Sequence, residues 1–302
     1  MSETQERKND FSQGNVPRLI MKLAIPMIVA QIVNALYSIV DRIYIGYIPE
    51  HATLSLTGLG VCLPVITAVM AFANLFGMGG APLCSIERGR GNQKEAEAIM
   101  GNAFTLMVIC GILLTILGIV FRRPLLYLFG ASDSTYPYAE SYMTIYLLGS
   151  VFVMMGLGMN AFINSQGFGR IGMQTVLLGA VANIILDPVF IFGFRMDVRG
   201  AALATIISQF LSAAWVLRFL FSDRSILRLK RETMVLKKAR VLKIVSMGMS
   251  SFAAGFTNSV VAVACNATLQ TWGGDLYVGV MTVIHSVREI AENLVKGLTG
   301  GS

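Results

Sequence analysis

The sequence predicts an all-α membrane protein, a polytopic helical bundle with a six-helix N-terminal lobe and the first two helices of a second, repeat-related lobe. Its 302 residues are 55% hydrophobic and only 14% charged, with a mean hydropathy of +0.66, unlike soluble domains. Mostly apolar stretches recur with the length of about 17 to 25 residues that crosses a bilayer, and there are about eight of them. Short motifs near the start also recur near the end.

The chain opens with a polar segment and a span that carries three polar side chains on one face. Residues 1–17 lack the apolar core of a cleavable signal, so we predict a cytoplasmic tail. Span one runs from about residue 18 to 47 and contains Pro26, where we expect the helix to bend. One face of this helix carries residues at i, i+3 and i+7: Asn34, Tyr37 and Asp41.

Spans two to four are apolar and contain few polar candidates. Span two covers residues 53–85 and includes the motif GMGGA at 77–81, whose small side chains would let helices approach closely. Span three covers about 99–121 and span four about 138–164. We therefore expect spans two to four to serve mainly in helix packing within the bundle.

Span five, residues 171–194, holds the clearest anomaly, because Asp187 interrupts a segment otherwise fit for lipid. A carboxylate deep in a membrane costs at least about 2.5 kcal/mol on insertion scales, so it is expected to face a partner or a watery cavity. Pro188 follows directly and predicts a kink. Asn183 lies one helical turn earlier, on the same face as Asp187.

The remaining spans set the orientation. Span six covers residues 200–221, span seven 244–269, and span eight begins near 276. The N-terminal side carries 17 Lys and Arg residues against five on the other side, which places the N-terminus in the cytoplasm. Between the lobes, residues 222–243 are rich in Lys and Arg, and we predict a basic cytoplasmic loop that lies against anionic lipids. Because this loop accounts for much of the basic charge, the net charge of +7 does not require a nucleic-acid partner.

Depth in the membrane predicts that several polar residues meet. With this orientation Asp41, Asp187 and Thr205 each lie about 8 to 11 Å below the outer surface, at 1.5 Å per helical residue. We therefore expect one cluster of Asp41, Asn183, Asp187 and Thr205. Two carboxylates with amide and hydroxyl oxygens suit a hard cation such as Na⁺ or a pair of protons. The alternative is that the acids only hydrogen-bond neighbouring helices.

An internal repeat relates the two ends of the chain. GMGGA at 77–81 corresponds to LTGGS at 298–302, and NALYSIVD at 34–41 corresponds to NSVVAVAC at 258–265. Spans seven and eight would then copy spans one and two, as in transporters built from parallel repeats. Under this interpretation residues 18–221 are the first lobe, and residues 244–302 begin a second lobe that lacks about four spans.

Four motifs carry a resemblance to a known family: YSIVDRIYIG, FGMGGAPLCSIERGRGN, NIILDPVFIFG and GAALATIISQ. Together they make residues 17–302 similar to the multidrug and toxic compound extrusion (MATE) transporters. The resemblance implies two six-helix lobes that exchange Na⁺ or H⁺ for cationic amphipathic drugs by alternating access. It also implies a cation site formed by Asp41, Asn183, Asp187 and Thr205. A neighbouring cargo cavity would be lined by Asn34, Tyr37, Tyr142 and Asn160.

The expected function is therefore coupled drug export from the cell membrane, with no cofactor beyond the ion. Cation binding at Asp41 and Asp187 would let span one bend near Pro26, collapse the cavity and expel the drug. Two isolated histidines argue against an enzyme. A flippase for lipid-linked sugars is a rival, disfavoured because the intramembrane charges look acidic, and an inactive remnant is another. The sequence leaves the coupling ion and the oligomeric state open.

Overall fold

The computed structural model describes the backbone of residues 16–48 and 52–300, and the side chains of 25–48, 52–285 and 288. Most of the predicted tail, residues 1–17, lies outside these ranges. The described chain is helical and contains no strand. Its nine helices are α1 Val16–Gly46, α2 Ala52–Gly89, α3 Gln93–Val120, α4 Arg122–Leu128, α5 Tyr136–Leu148, α6 Ser150–Ser165, α7 Gly169–Pro188, α8 Asp197–Phe221 and α9 Lys238–Gly300.

Six of the described helices are long and apolar enough to cross a membrane, and α5 with α6 make a seventh if this bent pair is one span. The prediction of an all-α, multi-pass membrane protein is confirmed. The last helix has a non-helical residue at Gly274 (φ 65°), between the predicted spans seven and eight. The assignment of two repeat-related lobes remains a prediction.

The sequence predicts span four as a single span. The structure instead shows two helices, α5 and α6, which are bent by 55° at Gly149. The Ile206 side chain of α8 lies where a Cβ of Gly149 would be, so only glycine lets α8 approach this closely. The Gly149 N–H donates to the Tyr146 carbonyl, three residues back, which ends α5 in a tight turn. The sequence pattern contains no proline at this break and gave no sign of it.

Helix α2 is the centre of the bundle, packed against α3, α5 and α6 on one side and α9 on the other. Its small residues allow both contacts. A Cβ on Gly77 would lie 2.9 Å from the Cα of Gly158 in α6, and one on Gly79 would lie 3.0 Å from the backbone nitrogen of Gly248 in α9. The prediction that the GMGGA motif permits close helix approach is confirmed.

The segment before α9 and the first turn of α9 pack against α3. Lys230 pairs with the buried Glu97 at 2.6 Å, and Arg240 makes two hydrogen bonds to Glu95 at 2.8 and 2.6 Å. The predicted basic loop, residues 222–243, is also shorter than expected because α9 already begins at Lys238. Two basic side chains of residues 222–243 therefore pair with acids of α3, whereas the sequence predicted that this loop contacts lipid.

Asn102 of α3 holds this segment most directly. Its amide nitrogen donates to the Thr233 and Val235 carbonyls at 3.1 and 2.9 Å, and its oxygen accepts from the Lys237 N–H at 2.9 Å. Asn102 is fully buried. One side chain thus satisfies three backbone groups of an otherwise irregular segment.

We expect Asn102→Ala to expose this segment to trypsin. The substitution leaves three backbone groups without partners, at about 1–3 kcal/mol for each that stays buried, so the segment opens more often. Cleavage after Lys230 or Lys237 should accelerate about tenfold or more in detergent-solubilised protein. Thr268→Ala, which removes only a local bond to the Ala264 carbonyl, is the control. An unchanged cleavage rate in Asn102→Ala would show that other contacts hold the segment.

Candidate cation and cargo site

Asp187 lies at the end of α7, where the helix changes type. Pro188 is the last residue of α7 and lacks the N–H of a regular α-helical turn, and the chain continues from it as a π-helical turn over Val189–Gly193. The Phe194 N–H donates to the Val189 carbonyl, five residues back, at 2.9 Å. The expected distortion at Pro188 is therefore a change of helix type, and such π turns are frequent at functional sites.

Three polar residues meet here, where α1 packs against α7. The amide of Asn183 donates to Oδ1 of Asp187 at 3.1 Å. The Asp41 carboxyl of α1 lies near the Asp187 carboxyl, close enough for the two charges to interact. All three are buried, with exposed fractions of 9% for Asp41, 2% for Asn183 and 0% for Asp187. The structure thus joins three of the four residues expected in the cation cluster.

The cluster contains acceptors that the described protein does not satisfy. Asp41 Oδ1, Asn183 Oδ1 and Asp187 Oδ2 have no hydrogen-bond partner among the described residues. A buried acceptor without a partner costs about 1–3 kcal/mol, and two adjacent ionised carboxylates repel each other. Oxygen ligands of this kind fit a hard cation such as Na⁺, or protons held on the acids.

Thr205 of α8 reaches this cluster through a tyrosine. Its hydroxyl lies close to that of Tyr142 in α5, and Tyr142 in turn lies near Asp41. The sequence predicts Thr205 among the cation ligands, but in the structure Tyr142 lies between Thr205 and Asp41. Tyr142 was expected on the cargo side, and it connects the two groups.

A cavity of about 240 Å³ lies beside Asp41. Asp41 lines it, whereas Asn183 and Asp187 lie behind Asp41 and do not. The Tyr142 and Tyr146 rings stack with centroids 6.2 Å apart and offer an aromatic wall. Polar and charged residues also line the cavity: Tyr37, Ser38, Arg42, Thr67, Thr205, Gln209, Asn258, His285 and Arg288.

Two expected cargo residues are not in this lining. Asn34 is half-buried on α1. Asn160 of α6 instead donates from its amide to the Gly172 carbonyl of α7 at 3.3 Å. The reason is depth, since Asn160 lies seven residues, roughly 10 Å, beyond Val153, the residue of α6 that lines the cavity. The structure does not bring Asn160 to the other candidates.

The basic residues of the cavity are not predicted from the sequence. The count of Lys and Arg that sets the orientation includes Arg42 among the five residues of the outer side, although α1 continues to Gly46. The same count leaves out Arg288, because it falls within the predicted span eight. The expectation that the intramembrane charges are acidic is therefore wrong for this cavity. One available signal was that Arg42 directly follows Asp41 inside the same apolar span.

Comparison with known proteins agrees with this fold. The MatE family model matches residues 26–189, more than half of the chain. The chain belongs to the MATE family. It is 24% identical over 291 residues to the multidrug export protein MepA of Staphylococcus haemolyticus, a match that covers 96% of this chain and 64% of the relative. MepA of Staphylococcus saprophyticus is 25% identical over 263 residues, covering 87% and 58%.

Solved structures also match the MATE chain. The MATE multidrug transporter DinF-BH superposes with a TM-score of 0.87 at 30% identity, covering 95% of this chain and 65% of that one. A MOP superfamily transporter from Pyrococcus furiosus superposes at 0.85 and 22% identity, covering 100% and 65%, which shows the fold alone. This MATE chain therefore spans about three fifths of the length of the relatives that it matches.

Proposed function

We propose that this MATE chain acts as a cation-coupled antiporter that exports cationic amphipathic compounds from the cytoplasm by alternating access. The observation that carries the proposal is the neighbouring buried pair of Asp41 and Asp187, of which Asp41 also lines the cavity. One carboxylate is thus shared between a cation cluster and a cargo cavity. The Staphylococcus relatives named as multidrug export proteins support this assignment.

The shared carboxylate supplies a coupling mechanism. While Asp41 is negative, it attracts a cationic cargo at the cavity wall. When one Na⁺ or one proton enters the cluster, it cancels one of the two negative charges of Asp41 and Asp187, and the attraction for the cargo falls. Cation and cargo therefore compete for the same charge, which is the differential interaction that an exchange mechanism requires.

Cargo entry requires the cavity to widen. About 240 Å³ is the volume of roughly eight waters at about 30 Å³ each, and pockets for drug-sized ligands usually measure about 300–1,000 Å³. Helix α1 forms one wall and contains Pro26, which has no N–H to donate to the preceding turn. We propose that bending of α1 near Pro26 changes the cavity volume during transport.

Ethidium efflux from cells that lack their own pumps tests the proposed function. We would compare this 302-residue chain with a version extended to the length of its relatives, each with and without collapse of the Na⁺ or H⁺ gradient. Efflux that stops when one gradient collapses identifies the coupling ion. Absence of efflux from both versions, with both present in the membrane, would contradict the proposal.

A lipid-linked-sugar flippase is the second candidate, and the two cavity arginines now favour it more than the sequence did. Arg42 and Arg288 have the charge that holds a pyrophosphate. Asp41 in the same lining opposes a multiply charged anion, so we retain drug export as the main proposal. Restored growth of a flippase-deficient strain by the extended version would reverse this order.

A further inference from the structure

A second concave surface, an open groove of about 510 Å³, lies where α3 ends and where α4 and α5 begin. It shares no described lining residue with the cavity beside Asp41. Ile119 and Val120 of α3 form its apolar part. Its polar part consists of Arg122, Arg123, Tyr136 and Glu140. The groove thus joins the end of an apolar membrane helix to a charged surface.

The two arginines of this groove differ in their partners. Nε of Arg122 lies 2.9 Å from Oε1 of Glu140, which is the one carboxylate among the described lining residues. Arg123 is exposed and makes no ion pair with any residue in the described part of the chain. Glu140 therefore holds Arg122 in place, and the charge of Arg123 is left for a ligand.

An exposed apolar stripe of α3 leads into the groove. Its residues follow three- and four-residue spacing and so share one face of the helix: Ile109, Ile112, Leu113, Ile116, Leu117 and Val120. From the first to the last of them α3 rises about 16 Å, at 1.5 Å per residue. One leaflet of a bilayer contains roughly 15 Å of hydrocarbon. An acyl chain that lies along this stripe would therefore place its phosphate at the groove.

We propose that this groove binds an anionic phospholipid, with its phosphate on Arg122 and Arg123 and its acyl chains along the apolar stripe. A guanidinium binds phosphate with two parallel hydrogen bonds. Tyr136 in the lining stacks on Tyr127 with ring centroids 5.3 Å apart, and tyrosines are enriched at the level of lipid head groups. The inference does not depend on the proposed transport function.

A lipid in the groove would connect three helices. Ile119 belongs to α3, Arg123 to α4 and Glu140 to α5, and all three residues line the groove. Saturating phosphatidylglycerol should therefore raise the melting temperature of the detergent-solubilised chain by about 2–4 °C more than phosphatidylcholine does. Equal stabilisation by the two lipids would contradict the proposal.

Native mass spectrometry of the purified chain measures binding directly. The probes are phosphatidylglycerol and phosphatidylcholine with the same acyl chains, so that they differ only in the head group. The first phosphatidylglycerol should bind about fivefold more tightly than the first phosphatidylcholine, which is the factor expected for one basic residue beside an anionic lipid. Equal affinities would overturn the proposal.

Substitution of Arg123 locates the bound lipid. Arg123→Gln should reduce the preference for phosphatidylglycerol to within twofold, and Arg123→Lys should recover part of it because the charge is restored without the paired hydrogen bonds. Arg195→Gln, at an exposed arginine just before α8 and outside the groove, is the control and should keep the full preference. An unchanged preference in Arg123→Gln, or an equal loss in Arg195→Gln, would show that the lipid binds elsewhere.

Glycerol 1-phosphate tests whether the acyl chains contribute. It carries the phosphate but has nothing to lie along the stripe of α3. It should displace phosphatidylglycerol only at a concentration about 100-fold or more above that of the lipid, because burial of apolar surface supplies the remaining affinity. Displacement at equal concentration would mean that the groove binds a free phosphate ester, and the lipid proposal would be wrong.

Discussion

Asp187→Asn is expected to abolish coupled export while leaving the protein in the membrane. Asparagine at this position removes one of the two negative charges that attract the cation, so the cation affinity should fall by about 100-fold or more. Asn183 can still hydrogen-bond an asparagine at this position, so the helix packing should survive. The measurement is ethidium efflux at matched membrane abundance, in whichever version of the chain exports ethidium.

The two acids should differ in what they affect, because only Asp41 lines the cavity. Asp187→Asn should keep binding of ethidium but make it independent of the coupling cation. Asp41→Asn should weaken binding of ethidium itself. Asp223→Asn, at a largely exposed carboxylate in the segment before α9, is the control. Wild-type efflux in Asp187→Asn would show that the acid pair only connects α1 and α7.

Gly79→Val is expected to prevent the close packing of α2 and α9. A Cβ at Gly79 would overlap the Ile244 carbonyl and the Gly248 backbone, and backbone atoms of a packed helix cannot rotate away as a side chain can. Overpacking of this kind typically costs about 1–3 kcal/mol, and here the whole helix must move. The expected result is a large fall in the melting temperature measured by fluorescence-detected size exclusion.

Gly89→Val is the matched control for this substitution. Gly89 ends α2, and a Cβ there would meet no atom within 4 Å outside the helix itself. The same change of residue type therefore separates the loss of close approach from the general cost of valine in a helix. Equal melting temperatures of the two variants would show that α2 and α9 tolerate a wider separation.

Local features of the chain were predictable because they depend on composition and on helical periodicity. The apolar stretches identified the membrane helices, and the four-residue spacing placed Asn183 and Asp187 on one face. Equal depth then predicted that Asp41 would reach Asp187, since α1 and α7 lie side by side in the bundle. The four motifs together identified the MATE family.

The features that were missed depend on which helix faces which. The bend at Gly149 lies where Ile206 of α8 packs closely against it, and Ile206 is 57 residues away in the chain. The segment before α9 binds α3 because Asn102 and Glu97 meet it there, and Glu95 pairs with Arg240 in the first turn of α9, whereas the sequence showed only a run of basic charge. Neither contact leaves a trace in the local pattern of the residues involved.

The sequence by itself determined the membrane-spanning helices, the family and the buried acid pair, because an amphipathic or polar deviation within an apolar helix is a local signal. Only the tertiary structure decided that Arg42 and Arg288 share a cavity with Asp41, and that Asn160 does not. A side chain on a membrane helix can face lipid, a neighbouring helix or a cavity, and its direction is set by packing between distant segments.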